Sequence, residues 1–525
     1  MQARVLVVVS IVALALLGGA LWMLQQSSAT NQATDQLVVY CAAGIRAPLE
    51  DTVAAYEKYW QEKHGRPIRI EVEYGGSGTL LSKLKVAERG DLFLAGDDSY
   101  IQLGREQGLI DEELKLASMK PVIAVAQNRA EEIRSLDDLL GGNYRVAMGV
   151  VDGTAIGEVT RKALESAKVW DAFQQKVEVT KPTVNDLASD VQLGAVDAAI
   201  IWDITARQHD LKYITHPALD AQAANVSIGV LSSTKQPSAA LHFARFLASP
   251  EHGLANFQKH HFTTVDGDRW VDVPEVTFFG GGLNRKAMEP IIDAFQKREG
   301  VRVNAVFQGC GALNAQMSTI EGQNTDFGFP DAYIACDVYY LEPVGEWFDN
   351  KSALSSTRIV IVTTKGNPHS IKTLADLAKP GLRLVLGHPT HCTLGGLSER
   401  LLKVEGIYDD VMKNVIEMQP SSGFMVPPVV SGAADASLAY YPDTLAERDK
   451  ISVVEIDTKY AKAVQPFAIA TTSKHRQLMR RLYDFISKHR ESYEKLGFDW
   501  VVGRPLEEFE VFTPEGVRQP SGSQN

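Results

Sequence analysis

Only four cysteines occur in 525 residues, and none closely follows the N-terminal apolar run, which argues against a lipoprotein anchor. Positive charge is also in deficit. The formal net charge of -12 argues against nucleic acid as the main partner, and it leaves any anion site to work through local dipoles. No Ser-His-Asp set, metalloprotease helix or phosphate-binding P-loop appears, and apart from His260-His261 and the loop around Cys392 the histidines are scattered. The sequence makes no case for an enzyme. What remains is 45% apolar and 22% charged, the balance of a globular chain too long for one core.

Residues Val5 to Leu24 are nearly uncharged, and Arg4 precedes them. That length can span a bilayer, with Arg4 on the cytoplasmic side. A cleaved signal peptide ending near Ser27-Ser28-Ala29 is the competing reading, but the run exceeds the usual apolar core of a signal. The expectation is a single-pass inner-membrane anchor with the rest of the chain on the extracytoplasmic side; the alternative is a secreted periplasmic protein. A polar tether, Gln25 to Gln36, follows.

The most informative feature is a repeat. Val39-Tyr40-Cys41-Ala42-Ala43-Gly44, Tyr74-Gly75-Gly76-Ser77-Gly78-Thr79-Leu80 and Asp91-Leu92-Phe93-Leu94-Ala95-Gly96-Asp97 mark the first half. Roughly 238 residues later come Phe278-Phe279-Gly280-Gly281-Gly282-Leu283, Phe307-Gln308-Gly309-Cys310-Gly311-Ala312-Leu313 and Asp331-Ala332-Tyr333-Ile334-Ala335-Cys336-Asp337. One domain has been duplicated. Apolar bursts at Leu37–Cys41, Ile68–Val72, Leu92–Ala95, Val122–Ala126, Arg145–Val150, Ala198–Trp202 and Val226–Leu231 read as strands. Helical spacing over Pro48–Glu62, Leu80–Val86, Ile156–Ala167 and Leu187–Leu193 alternates with them, which predicts βαβ units and a largely parallel sheet. The expected layout is anchor and tether over 1–35, a first domain over 36–270, a second over 271–503 and a flexible tail over 504–525.

Three glycine-bearing segments follow a strand and open a helix: Cys41–Ile45, Gly75–Thr79 and Gly149–Gly157. Free N–H groups at helix starts accept an anion without a lysine, and the place for a ligand is beyond the carboxyl ends of strands. One such turn is an ordinary helix cap. Three in fixed order, written twice, are not.

With these residues the chain resembles the periplasmic molybdate/tungstate-binding proteins of ABC importers, over almost all of both repeats. The resemblance includes Phe246-Leu247-Ala248-Ser249-Pro250-Glu251 leading to Phe262-Thr263. It implies an α/β fold of two tandem type II periplasmic-binding-protein domains, each of two lobes with a hinge. It also implies a permease and an ATPase as partners, and a small oxyanion held by hydroxyls and backbone N–H groups. The five positions this implies fall on Gly44, Ser77, Ile156, Val184 and Trp202. Ser77 keeps the family's serine. Gly44 stands for a serine and Trp202 for a tyrosine, so a backbone N–H and an indole N–H would replace two hydroxyls.

In the second repeat the five positions are Leu283, Cys310, Leu394, Ser422 and Tyr440. Cys336 and Cys392 join Cys310 at the same cleft by alignment, with His388 and His391 close behind. A disulfide between two of the three, buried thiols, and a soft-metal or redox site are all open readings; the spacings match no zinc signature. Hence a second functional reading beside import: a membrane-tethered sensor or scaffold whose second domain binds a metal or redox ligand.

Overall fold

The computed structural model describes residues 35–87, 89–322 and 328–509, together with 511–513 and 516–518. The anchor expected over Val5–Leu24 lies outside the described residues; among these, no helix is long and apolar enough to cross a membrane. The chain divides into two compact units. The first runs to Ala248 and takes in His252–Val265, and the second holds Ser249–Glu251 and the chain from Asp266 onward.

The strands of the first unit are β1 (Asp35–Ala42), β2 (Ile68–Gly75), β3 (Leu92–Ala95), β4 (Ile110–Met119), β5 (Pro121–Val125), β6 (Val146–Gly149), β7 (Val177–Lys181), β8 (Ala198–Trp202), β9 (Lys212–Ile214), β10 (Ala224–Leu231) and β11 (Thr263–Thr264). They form two sheets, ordered β11-β4-β10-β3-β1-β2 and β7-β6-β8-β5-β9, one for each lobe. The chain passes from one sheet to the other between β4 and β5, and returns between β9 and β10.

The sheets are mixed, which corrects the expectation of largely parallel ones. β1 runs parallel to β2 and β3, and β6 parallel to β7 and β8. β10 enters antiparallel to β3, and β5 antiparallel to β8. The double crossing is the reason: a strand arriving from the other lobe enters against the direction of the βαβ strands. At the first crossing Lys120 interrupts the ladder. Its N–H donates to Asp203 Oδ1 at 2.9 Å, and the Asp203 N–H donates back to its carbonyl at 2.8 Å. Asp203 therefore holds the crossing rather than capping a helix.

Helices cover the sheets, so the central strands are apolar on both faces; every residue of β3, β5, β6 and β8 is buried. The helix Arg46–His64 buries Leu49, Thr52, Tyr56 and Trp60 at the spacing of one helical face. It stops at Gly65, whose φ of 67° an L-residue rarely adopts, and the Gly65 N–H closes the last turn onto the Gln61 carbonyl at 3.0 Å.

The second unit repeats this plan in β12 (Glu275–Gly281), β13 (Arg302–Gln308), β14 (Ala332–Ile334), β15 (Phe348–Thr364), β16 (Leu384–Gly387), β17 (Val415–Gln419), β18 (Ala436–Tyr440), β19 (Ile451–Glu455) and β20 (Lys462–Ala470). β15 is unbroken where the first unit has β4 and β5. It pairs with β20 at one end and with β18 and β19 at the other, so one ladder joins both lobes. Structural devices recur at matching places. Asp91 accepts from the Val38 N–H and Asp331 from the Thr277 N–H, both at 2.8 Å. Asp197 accepts from the Arg145 N–H and Asp435 from the Arg383 N–H, both at 2.9 Å.

The stretch expected to open a flexible tail at 504 is docked instead: Leu506 and Phe509 are buried, and Val511–Thr513 pairs with Gly516–Arg518. Two apolar side chains 3 residues apart give this short segment a purchase that its Pro and Gly content concealed.

Candidate functional site

Between the two lobes of the first unit lies a cleft of about 310 Å³, open mouth included. Gly44, Ser77, Ile156, Val184 and Trp202 all line it, so all five residues chosen from the sequence meet in one cavity. Each arrives there through the end of a strand. Gly44 sits in the turn after β1, Ser77 opens the helix Ser77–Ala87 after β2, and Ile156 is second in the helix Ala155–Ser166 after β6. Val184 begins the helix Val184–Gln192 after β7, and Trp202 is the last residue of β8.

The local bonding decides which groups are left to donate. The Ser77 oxygen accepts from the Gly96 N–H at 3.0 Å, which fixes the side chain and leaves its O–H proton available. Thr154 caps the helix that follows it: its hydroxyl accepts from the Gly157 N–H at 3.0 Å and donates to the Val150 carbonyl at 2.9 Å. Thr154 O takes the Glu158 N–H. A helix start has four N–H groups without internal partners, and here those of Ala155 and Ile156 are left unclaimed among the described residues. Thr183 does the same for the next helix by accepting from the Asp186 N–H at 3.2 Å, ahead of Val184. The Trp202 indole N–H has no acceptor among the described residues, although the side chain is 97 % covered (3 % exposed). Among the described residues, no cationic side chain lines the cleft. It is a cage of neutral donors, with helix dipoles supplying positive potential.

The lobes touch, and glycine makes that possible. A Cβ on Gly76 would lie 2.9 Å from the Pro182 carbonyl oxygen and closer still to that of Gly153, both on the opposite lobe. A Cβ on Gly78 would strike the Asp152 carbonyl in the same way. The Thr79 N–H reaches across to Gly153 O at 3.3 Å, and Asn185 Nδ2 donates to Ala43 O at 3.0 Å. Gly44 has a different reason for lacking a side chain. A Cβ there would lie 3.0 Å from Val184 Cγ1, a tight approach, and in ordinary contact with Trp202 Cδ1 at 3.5 Å, so Val184 is what crowds the place of a side chain.

In the second unit, Leu283, Cys310, Leu394, Ser422 and Tyr440 stand at the same element ends, each 5 % exposed or less. The frame is kept. Cys310 Sγ accepts from the Cys336 N–H at 3.2 Å, just as Ser77 accepts from Gly96. A Cβ on Gly309 would meet the carbonyls of His391 at 2.5 Å and Pro420 at 2.7 Å, the counterpart of the Gly76 contact. The chemistry is changed. Thr154 is replaced by Cys392 and Gly96 by Cys336, while Leu283 adds apolar bulk at the place of Gly44 and Leu394 keeps the bulk of Ile156. Asp443 stands where the first unit has Thr205, whose Oγ1 would be 3.8 Å from a Cβ on Gly44. Burial pushes the Asp443 carboxyl up to about 6, against the Ser422 hydroxyl, which pulls it down. The Tyr440 hydroxyl is buried without a partner among the described residues.

Of the three open readings for Cys310, Cys336 and Cys392, a soft-metal site held by all three has no support. Among the described residues these sulfurs do not form a group lying mutually within 4.8 Å. All four cysteines are free thiols and buried. Cys392 belongs to the helix start, over the N–H groups of Gly395 and Leu394; burial outweighs their pull and drives its thiol up to about 12. His388 and His391 stack on each other with ring centroids 4.2 Å apart, and His391 is exposed.

Sequence reasoning missed Gly96, Thr154 and Thr183, which also line the first cleft. The two threonines were findable, since each stands one residue before a helix and a cap is what such a residue supplies. Nothing in the sequence pointed to Asp443.

The family described as bacterial extracellular solute-binding protein matches residues 37–263 and again residues 276–499. The chain is 28% identical over 232 residues to a Haemophilus influenzae protein named "Putative binding protein", covering 44% of this chain and 91% of that one. It is 25% identical to the Bacillus subtilis "Putative ABC transporter substrate-binding lipoprotein YvgL", over 45% of this chain and 90% of that one. It is 28% identical to the molybdate-binding protein ModA of Mycobacterium bovis, over 38% of this chain and 74% of that one.

Proposed function

Since the chain belongs to the bacterial extracellular solute-binding protein family, in two tandem copies, we propose that its first unit binds a tetrahedral oxyanion of the molybdate or tungstate type. The ligand donors would be the backbone N–H groups of Gly44, Ile156 and Val184, the Ser77 hydroxyl and the Trp202 indole N–H. One observation carries this reading: five residues from five separate strand ends line a single cleft that contains unclaimed donors and no cation. Fixed neutral dipoles suit an anion that is ionised at neutral pH, because binding then waits on no proton and no lysine has to be desolvated.

The lobes would close over the ligand by hinge motion about the β4–β5 crossing, with Gly76 and Gly78 admitting the opposite lobe. The resemblance to importer components supports delivery to a permease and an ATPase. The Val5–Leu24 run would take the chain out of the cytoplasm, as an anchor or as a cleaved leader. Titration calorimetry of the full chain with molybdate, tungstate and sulfate tests the reading. Heat of binding for at least one of the three is expected, and silence with all three would refute it.

A further inference from the structure

The second unit has three linked replacements that make sense only together. Where the first unit has Ala42, Ser77 and Gly96, the second has Gly281, Cys310 and Cys336. In the first unit a Cβ on Gly96 would lie 3.5 Å from Ala42 Cβ and 3.5 Å from Ser77 Oγ. In the second, that Cβ exists and carries a sulfur, and Gly281 has given up its own side chain. A Cβ on Gly281 would lie 2.8 Å from Cys310 Sγ and closer still to Cys336 Sγ. Both sulfurs therefore crowd one point that a glycine keeps clear. The Cys336 N–H donates to Cys310 Sγ at 3.2 Å, which brings the end of β14 against the first residue of the helix Cys310–Gly322.

We propose that Cys310 and Cys336 form a reversible dithiol–disulfide pair that staples this helix start to β14 on the floor of the second cleft. The family is extracellular, and disulfides form and persist in such compartments. The pair is buried, so an oxidant reaches it when the lobes part and the Gly309 contact with His391 and Pro420 is released. Burial pushes the Cys310 thiol up, but hydrogen bonds from Cys336, Thr393 and Tyr333 together bring it down to about 7, which favours Cys310 as the attacking sulfur. Its thiolate attacks one sulfur of a low-molecular-weight disulfide such as oxidised glutathione and expels one thiolate. Cys336 then gives up its proton and displaces the second thiolate from the mixed disulfide. The protein loses two electrons and two protons, and the small disulfide takes up both to leave as two thiols. Oxidation also removes the thiol that stands in the place of Ser77.

The test uses the full-length chain, reduced, freed of reductant, equilibrated with oxidised glutathione, quenched in acid, and then denatured and alkylated. Peptide mass analysis should find alkyl groups on Cys41 and Cys392 and one linked peptide joining Cys310 to Cys336. Cys392→Ser should keep that linkage and Cys336→Ser should abolish it. Alkylation of all four cysteines, or a linkage that runs through Cys392, would overturn the proposal.

Discussion

The two clefts share a frame and differ in what they offer a ligand. Ser77 and Cys310 open corresponding helices and accept a backbone N–H from the neighbouring strand end, at 3.0 and 3.2 Å. Gly76 and Gly309 both let the opposite lobe close against the glycine turn. Yet the first cleft presents the Ser77 hydroxyl, an indole and helix-start donors, while the matching positions of the second unit carry thiols, Leu283 in place of Gly44, the hydroxyls of Ser422 and Tyr440, and the carboxyl of Asp443. Duplication has preserved the machinery of closure and released the chemistry of recognition. A buried carboxyl beside the former donor set opposes an anion by charge alone.

The largest break in the comparison should come from Gly76→Val. The added side chain meets backbone carbonyls of the opposite lobe, which cannot move aside as a flexible side chain could, so the closed state is lost. Oxyanion affinity of the first unit should fall roughly 100-fold, about 3 kcal/mol, by calorimetry. Gly309→Val, the same lesion in the second unit, should leave that affinity unchanged.

Next is Asp443→Asn. The folded pKa of about 6 lies above the ordinary carboxyl value. The folded second unit therefore holds a proton that the unfolded chain releases, and this contribution is present below about pH 4 and lost as pH rises through about 6. Replacing the carboxyl by an amide should flatten that loss, on the order of 2 kcal/mol, in urea titrations at pH 4 and pH 7. Asp197 and Asp435 contribute the opposite slope. Burial raises the Asp197 carboxyl but hydrogen bonds from Arg145 win, and the hydrogen bond from Arg383 lowers Asp435. Those slopes should persist in the variant.

Ser77→Ala should weaken the anion by about 10-fold, the worth of one hydrogen bond to a charged group. Trp202→Phe should cost at least as much, because the indole N–H and the buried pyrrole half of the ring system are both lost. In the second unit, Tyr440→Phe should leave oxyanion binding untouched. A matching loss there would show that both clefts bind.

Much of this was legible because buried strands and helix starts announce themselves. Leu92–Ala95 and Ala198–Trp202 have the bounds their apolar runs indicate, while the five residues of the first cleft came from the family resemblance, and the glycine-bearing turns after strands were what brought that resemblance into view. Other elements were hidden by chemistry. β4 carries Asp111, Glu112, Glu113 and Lys115; Glu112 sits in an inward-facing, buried position, which breaks the apolar alternation that reveals a strand. β15 begins at Phe348, well ahead of the apolar run Ile359–Val362, and passes through Ser355, Ser356 and Thr357, which are fully buried, with Ser355 Oγ donating to Gln465 Oε1 at 2.8 Å. A hydroxyl-rich stretch reads as a loop until its partner strand is known. The sequence grouped three cysteines by alignment, but that Cys310 and Cys336 crowd one point beside Gly281 is visible only in three dimensions.

The most direct test of the central claim is the number of oxyanions bound per chain, counted by titrating the intact protein and its Gly76→Val variant. One equivalent in the parent, bound roughly 100-fold more weakly in the variant, is the predicted result. Two equivalents in the parent, or a variant that binds as tightly as the parent, would contradict the division of labour between the two clefts.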